Sequence, residues 1–387
     1  MKKVHLQRLL KLTALVLPIV LIVLFLQQHV FVLNDSNTDR IRKFYYEEEN
    51  SLDVVFLGAS EVFSGYSPGY AYGQYGYTSY MYAMDANVGS LYKAQLKEIL
   101  SCQTPAQIFV EVYGFTRPDD IQHNEANLRY FVESIPNSCN KISTVINYGY
   151  DHEISCLVPF IKYHGDYEIL KGQLNYYSIN SKSIFSPSLN TGMMTHTSIH
   201  SGDGYHEAID STNRHLYPEG KAYLLDFLEY CRQENLNNVI FVNFPRYIDD
   251  ENQNALLTRV ADIEQLVTDY GFEFLDLQKE FDSIGLDVST DFYNPHHLNA
   301  FGQQKLTDYL GGLLLNQYNL APRTQSLENR ILWVKNAAFA DEYFTLTTDL
   351  LTRGDIYYFF YDAEVFYYAD PAAMERIEAK VASQITE

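Results

Sequence analysis

Two short segments, far apart along the chain, carry a serine and a histidine in settings that suit nucleophilic catalysis. Ser60 follows the apolar run 53–57 and two small residues, which predicts a sharp turn at the end of a buried strand. His297 lies in the segment 291–302, on a predicted loop just before a helix. A serine hydroxyl becomes a nucleophile when a base within hydrogen-bond reach takes its proton. The pair therefore predicts acyl-transfer chemistry, with Ser60 as nucleophile and His297 as general base.

Each of these residues also has a simpler interpretation. A serine after a strand is a good helix N-cap, and a histidine in a loop is commonly a solvated surface residue. His296 is a second candidate for the base, although the Leu-Asn that follows favours His297.

The sequence does not decide which group would orient the imidazole ring of His297. Asn294 stands three residues before His297, but an amide cannot stabilise an imidazolium by charge. Asp291 stands six residues before it and could substitute if the loop folds back. A Ser–His pair oriented by a backbone carbonyl is the third possibility.

The elements that must position this pair alternate between strand and helix patterns. Four apolar runs have the length and composition of strands buried on both faces: Asp53–Leu57, Gln107–Val112, Asn238–Phe244 and Phe272–Leu277. Four segments have helical spacing of apolar residues: Val88–Ser101, Glu219–Glu234, Ala255–Tyr270 and Ala300–Leu315. This alternation predicts an α/β fold with a central parallel sheet covered on both faces. Ser60 would then lie at the carboxyl edge of the sheet, where such folds bind their ligands.

The rest of the chain divides around this domain, which we expect to span residues 52–320. Residues 119–218 interrupt the alternation and are interpreted as a large insertion, partly helical near 157–172, that could cover the site. Residues 321–387 are rich in aromatic side chains, which makes disorder improbable and predicts packing on the domain.

The N-terminus predicts a membrane anchor. Residues 1–11 are basic and residues 12–33 are mostly apolar, which is enough for one helix across a bilayer. The basic flank predicts a cytoplasmic N-terminus, residues 34–51 read as a stalk, and the domain would be extracytoplasmic. A cleaved signal peptide is the alternative, although no small-x-small site follows the run.

Several segments of the chain, in their order along the sequence, resemble the SGNH (GDSL-like) hydrolase superfamily. The resemblance covers about residues 52–316 and is carried by Gly58-Ala-Ser60 after the first strand, Glu111-Val-Tyr-Gly, Lys162-Tyr-His164, Phe244-Pro-Arg-Tyr, Gly271-Phe-Glu-Phe-Leu-Asp-Leu and Asp291–Thr307. The last two stretches are the most specific. The chain looks most like the membrane-anchored, extracytoplasmic branch associated with surface-polysaccharide modification, such as proteins of D-alanyl-lipoteichoic acid biosynthesis and alginate O-acetylation.

The resemblance implies a flavodoxin-like three-layer α/β/α sandwich and Ser–His acyl transfer. It implies that the backbone N–H of Ser60 and a donor from the block 79–87, with Ala83 and Asn87 as candidates, would hold the oxyanion. Three positions depart from the family pattern. Ala59 replaces an aspartate, Ala83 replaces a glycine, and Asn294 replaces the triad aspartate.

Composition excludes some functions. The formal charge of −21 disfavours binding to nucleic acid. No phosphate loop, dinucleotide fingerprint or HExxH motif occurs, and we expect no cofactor and no metal. The group His196, His200, Asp203 and His206 could bind a metal, but its spacing fits no known site. Cys139 and Cys156 could pair or remain free thiols.

Two functional hypotheses follow. The first is a serine esterase or O-acyltransferase that acts on a cell-surface glycan, for which the resemblance implies an acyl donor and a membrane-bound O-acyltransferase partner. The second is a non-catalytic assembly or carrier-binding component that keeps the fold, which Ala83 and Asn294 favour. A run of tyrosines after Ser60, from Tyr66 to Tyr82, could form a sugar-stacking wall or pack in the core.

Overall fold

Five strands form one parallel sheet in the order β2-β1-β3-β4-β5. The strands are β1 (Val54–Gly58), β2 (Ser79–Ala83), β3 (Gln107–Glu111), β4 (Val239–Asn243) and β5 (Glu273–Asp276), and every neighbouring pair is parallel. The computed structural model describes residues 2–29, 35–149, 153–168, 171, 187–207, 214–251, 254–353 and 371–385.

Each central strand buries both of its faces, because successive side chains of a strand point to opposite sides of the sheet. Val55 and Leu57 of β1 pack in one hydrophobic core, whereas Val54 and Phe56 pack in another. The helices that cover the two faces explain why β1 is apolar at every position rather than alternating. The predicted α/β class with a central parallel sheet is confirmed.

Sixteen α-helices lie in the part of the chain that the structure describes. They are α1 (Lys2–His29), α2 (Ser36–Lys43), α3 (Ser60–Gly65), α4 (Pro68–Tyr75), α5 (Gly89–Cys102), α6 (Tyr113–Thr116), α7 (Glu125–Val132), α8 (Cys139–Tyr148), α9 (Glu153–Leu157), α10 (Phe160–Tyr163), α11 (Pro218–Gln233), α12 (Ala255–Asp269), α13 (Phe281–Ile284), α14 (Ala300–Asn316), α15 (Leu327–Arg353) and α16 (Pro371–Ile385). A separate antiparallel pair joins β6 (Phe292–Asn294) to β7 (His297–Leu298).

The four predicted strands and the four predicted helices are present, with no end shifted by more than one residue. The sequence prediction did not include β2 among its four strands, although tyrosine is common in strands. Tyr80 and Tyr82 are fully buried, and the Tyr80 hydroxyl donates to the Arg40 carbonyl at 2.7 Å. Tyr66 and Tyr77 are also fully buried, so these four tyrosines pack in the core and do not form an exposed sugar-binding wall.

The predicted stalk at 34–51 is wrong. Ile41 and Phe44 are fully buried, and the Phe44 ring lies 4.8 Å from that of Tyr82, centroid to centroid. The Arg40 guanidinium lies over the Phe63 ring at 3.9 Å. These contacts make α2 and Phe44, the residue that follows it, part of the domain. The many charged residues of this segment concealed that role in the sequence.

The N-terminal helix α1 carries exposed apolar side chains, including Leu15 and Phe25. Within the described residues, the structure contains no helix with the length and apolarity needed to cross a membrane. The structure therefore does not support the predicted membrane span.

The C-terminal extension packs on the domain where it is described. The side chain of Trp333 on α15 is fully buried, and its ring centroid lies 5.4 Å from that of Tyr72 on α4. The aromatic runs 355–361 and 364–368 lie outside the described residues.

The first part of the predicted insertion contains the helices α7 to α10. Within the stretch 157–172, which we predicted to be partly helical, α9 ends at Leu157 and α10 covers Phe160–Tyr163. All four cysteines are free thiols, with Cys139 exposed and Cys156 buried. The conceivable Cys139–Cys156 disulfide is therefore not formed.

Candidate active site

Ser60 lies at the carboxyl end of β1 and is the first residue of α3. Its backbone N–H therefore has no acceptor within its own helix. The turn needs a glycine at position 58, because a Cβ there would lie 2.5 Å from both Glu111 Cβ and Val62 Cγ2. This close approach packs the turn against the end of β3 and leaves Ser60 half-buried.

His297 meets Ser60 from the antiparallel pair β6–β7. The distance from Ser60 Oγ to His297 Nε2 is 2.7 Å, which is a short hydrogen bond. When neutral, a histidine that accepts this bond at Nε2 carries its proton on Nδ1. The structure thus brings together the two residues that the sequence selected, in the relation that proton transfer requires.

The protonation of His297 is governed by burial and by nearby charges. Burial lowers the pKa of His297 below its ordinary value, and Arg246 acts in the same direction. Glu61 opposes both effects and favours the protonated ring. Because the pKa falls overall, His297 is neutral at neutral pH and can act as a base.

Asn294 does not orient the imidazole. Its Oδ1 accepts the backbone N–H groups of His296 at 2.9 Å and His297 at 3.0 Å. The side chain thus stabilises the turn between β6 and β7, and its oxygen faces the backbone.

Asp291 is also engaged elsewhere. Its carboxylate accepts from Lys305 Nζ at 2.7 Å and from the backbone N–H of Asp287 at 2.8 Å, and Thr290 Oγ1 donates to it at 2.9 Å. Because no hydrogen bond links this carboxylate to His297 among the described residues, the loop does not fold back as one alternative required.

The Nδ1 atom of His297 is buried and has no hydrogen-bond partner among the described residues. Neither a carboxylate nor a backbone carbonyl of the described chain orients the ring there. The sequence left three candidates for the group that orients His297: Asn294, Asp291 and a backbone carbonyl. Within the described residues, none of them forms a hydrogen bond with His297 Nδ1.

The two other candidate oxyanion residues are not aimed at Ser60. Gly58 pairs with Ala83, and the N–H of Met84 donates to the Gly58 carbonyl at 3.2 Å. Alternate N–H groups of a strand point in opposite directions, so the Ala83 N–H points away from β1. The side chain of Asn87 donates to the Gly58 carbonyl at 2.9 Å and to Gln95 at 3.0 Å. Asn87 therefore braces the turn beneath the nucleophile.

A buried ion pair that the sequence analysis did not select lies beside the Ser–His pair. Glu61 and Arg246 are 3% and 2% exposed, and Arg246 donates to Glu61 Oε1 at 2.6 Å. Arg246 also lies over the Tyr113 ring at 4.3 Å. Burial raises the pKa of Glu61, but Arg246 and His297 lower it, and the net pKa lies below the ordinary value. Glu61 is therefore charged at neutral pH.

Glu111 lies next to this ion pair but differs from Glu61 in its protonation state. Burial and the charge of Glu61 raise its pKa to about 8, so it is mostly protonated at neutral pH. Glu111 and Arg246 lie in two of the stretches that carry the resemblance, at the carboxyl end of β3 and shortly after that of β4, but the sequence analysis assigned no role to either residue.

A second histidine also lies near His297. The His196 and His297 ring centroids are 5.5 Å apart, and His196 Nε2 is 3.1 Å from Ser64 Oγ. The His196 ring stacks on Tyr293 with centroids 4.1 Å apart and planes 5° apart. Burial and His297 lower the pKa of His196 to about 3, which keeps it neutral. His196 and Tyr293 together form a stacked pair of rings beside His297.

The remaining histidines have other surroundings. The pKa of His296 falls to about 4, chiefly through burial, and its ring packs against Tyr205 at 4.4 Å. His164 is exposed and caps α10. Among the described residues, no group of three or more side chains could hold a metal ion.

A scan against protein-family models and a search of the curated proteins find no match to this chain. The resemblance to SGNH hydrolases therefore remains a hypothesis based on its motifs.

Proposed function

We propose that the protein is a serine esterase or O-acyltransferase with a flavodoxin-like, SGNH-type domain. The observation that carries this proposal is the 2.7 Å contact between Ser60 Oγ and the neutral His297, whose side chain is half-buried. The pair lies at the carboxyl edge of a parallel sheet, which is where open α/β folds bind their ligands.

The proposed reaction proceeds in two steps. His297 Nε2 takes the proton from Ser60 Oγ as the oxygen attacks the acyl carbonyl carbon, and the Ser60 N–H donates to the oxyanion that forms. The intermediate collapses to an acyl-serine as His297 returns the proton to the departing alcohol. Water or an acceptor hydroxyl then attacks the acyl-serine, with His297 again as base, and restores free Ser60.

The proposed substrate is an O-acylated glycan, supported by the stacked rings of His196 and Tyr293. Tyr293 is 40% exposed although its ring is held against His196. A rigid, partly exposed aromatic ring can pack against the apolar face of a sugar, and this one lies beside the catalytic base.

The test is hydrolysis of p-nitrophenyl acetate by the full-length protein, compared with Ser60→Ala and His297→Ala. We expect turnover in the unchanged protein and a loss of about 10³-fold or more in each variant. A fluorophosphonate probe should label the unchanged protein at Ser60 and leave Ser60→Ala unlabelled.

A non-catalytic assembly component is the second candidate. The observation that favours it is the His297 Nδ1 atom without a partner among the described residues. Absence of both turnover and Ser60 labelling in a folded protein would favour this candidate over the enzyme.

We further propose that α1 attaches the protein to a membrane, with the domain on the extracytoplasmic side. Exposed apolar side chains along α1, such as Leu15, Leu21 and Phe25, support attachment to lipid. A membrane-bound O-acyltransferase would then be the partner that delivers the acyl group. Removal of residues 1–34 should release the protein from sedimented membranes, whereas release of the full-length chain by salt alone would contradict the proposal.

A further inference from the structure

Three buried polar atoms at the Ser60–His297 pair and the ion pair beside it lack hydrogen-bond partners among the described residues. They are His297 Nδ1, Glu61 Oε2 and Arg246 Nε. A buried polar atom without a partner costs free energy, and three such atoms in one site call for a functional explanation. His297 Nδ1 carries the imidazole proton and Glu61 Oε2 carries negative charge, while Arg246 already binds the other Glu61 oxygen.

Glu61 is held rigidly in its position. It follows the nucleophile directly in sequence and belongs to the first turn of α3. Arg246 binds its other oxygen at 2.6 Å, and Tyr113 packs against that guanidinium. The carboxylate therefore remains charged and fixed beside the catalytic pair.

The other charged or titratable groups around His297 do not supply an equivalent charge. Arg246 is positive and opposes protonation of the ring. Asp85, after β2, favours protonation, but it is exposed and its effect is screened by water. His196 and His296 are neutral, with pKa values of about 3 and 4.

We propose that Glu61, rather than Asp291 or Asn294, supplies the negative charge that stabilises the protonated form of His297 during acyl transfer. Glu61 is a positioning residue, since it acts through the histidine. This inference rests on the proposed function, in which His297 becomes an imidazolium in each step. It explains how the site can work although the position of the usual aspartate holds Asn294.

The sign of the expected change follows from charge. A carboxylate near an imidazolium raises the pKa of the ring, so its removal lowers that pKa further. The Glu61→Gln variant should therefore move the acid limb of the kcat/KM profile to lower pH. It should also reduce kcat, because the imidazolium formed in the transition state loses its counter-charge.

The experiment measures kcat/KM against pH for the full-length protein and for Glu61→Gln, Glu61→Asp and Glu133→Gln. Glu133 provides a matched control, because it forms a buried ion pair with Arg129 at 2.7 Å and is not among the groups that act on His297. In parallel, ¹⁵N-histidine NMR follows the pKa of His297 directly, without any need for turnover.

We expect Glu61→Gln to lose at least about tenfold in kcat and to lower the His297 pKa by about one unit. Glu61→Asp, which keeps the charge, should recover most of both quantities, and Glu133→Gln should change neither. An unchanged His297 pKa in folded Glu61→Gln would overturn the inference, even if the enzyme is active. If the unchanged protein shows no turnover but the NMR shift occurs, the proposed function fails while the pairing of Glu61 with His297 stands.

Discussion

At the scale of single residues, the site that we propose joins a nucleophile, a base and a buried charge from two separate parts of the chain. Ser60 and Glu61 come from one turn at the end of β1, and His297 comes from the β6–β7 pair. Burial makes the histidine a weaker base in the ground state by lowering its pKa. The same burial strengthens any charge that stabilises the transition state, because the surroundings have a low dielectric constant.

The first prediction concerns the pH dependence of the unchanged enzyme. Only neutral His297 can accept the Ser60 proton, and its lowered pKa keeps it neutral in mildly acidic solution. The acid limb of kcat/KM should therefore have its midpoint below about pH 6.5. Rates with p-nitrophenyl acetate between about pH 4.5 and 8 check this, and a midpoint clearly above the ordinary histidine value would contradict it.

The second prediction concerns Tyr293. Replacing it with alanine removes the exposed ring that stacks on His196, while Ser60 and His297 keep their contact. We expect KM for an acetylated oligosaccharide to rise about tenfold or more, since a stacking contact contributes about 1–2 kcal/mol. Kinetics with p-nitrophenyl acetate should change little, and an equal loss on both substrates would argue against a sugar-binding role.

Residue-scale prediction from the sequence succeeded where a motif carried the residue. Ser60 and His297 could be selected because each lies in a short segment with a recognisable strand or helix beside it. Glu61 and Arg246 were not paired, because nothing in their own segments marks them as partners and only the folded sheet brings them together. The roles expected for Asp291 and Asn294 failed because local hydrogen bonds to Lys305 and to the backbone occupy those side chains.

At the scale of elements, the β6–β7 pair decides where the base lies. The Asn294 side chain closes its turn, and the Asn299 side chain caps α14 by accepting from the Phe301 N–H at 3.0 Å. Asn299 also donates to the Thr290 carbonyl at 2.7 Å. The backbone on both sides of His297 is thus held in place by the side-chain amides of Asn294 and Asn299, which form hydrogen bonds with backbone groups.

The third prediction uses this turn to test the catalytic role of Asn294. A carboxylate at position 294 would accept hydrogen bonds from the same two backbone N–H groups, so Asn294→Asp should keep the turn. We expect kcat to stay within about threefold of the unchanged protein, which corresponds to a change of less than about 1 kcal/mol in the activation free energy. If Asn294 stood where a triad carboxylate works, the variant would instead gain up to about 10⁴-fold. Steady-state kinetics separate these outcomes.

The fourth prediction concerns the nucleophile turn. Gly58→Ala would place a methyl group 2.5 Å from Glu111 Cβ and Val62 Cγ2, so β1, β3 or α3 must shift. We expect a loss of about 1–3 kcal/mol in stability together with reduced Ser60 labelling. Thermal unfolding measures the first effect. A stable and fully active variant would show that the turn tolerates the added methyl group.

At the scale of the whole molecule, segments from both ends of the chain complete the domain. The helix α2 near the N-terminus covers one core, and Trp333 from the C-terminal helix α15 enters that same core. Asp53, just before β1, accepts the backbone N–H of Arg323 at 3.0 Å. The sequence could predict the sheet from its apolar runs and the packing of the C-terminal extension from its aromatic side chains, but it did not predict the contact of α2, because charged residues surround the few apolar side chains that make it.

The fifth prediction tests the C-terminal contact. Trp333 is the only tryptophan of the chain and is fully buried, so Trp333→Ala should lower stability by about 3–5 kcal/mol. Chemical unfolding followed by circular dichroism measures the loss. Leu327 on the same helix is 65% exposed, so Leu327→Ala removes little buried surface, and an equal loss there would mean that the effect does not come from core packing.

The bond between Asp53 and Arg323 has a consequence for the order of events at the ribosome. The strand that carries the nucleophile is among the first parts of the domain to be synthesised, yet residues that brace it are made some 270 positions later. Loop closure over so long a separation is entropically costly and slows folding. A nascent chain can pair β1 with β2 and β3 soon after β1 is made, but this bracing contact forms only once residue 323 has been synthesised, so the domain gains its full stability long after its central strand is made.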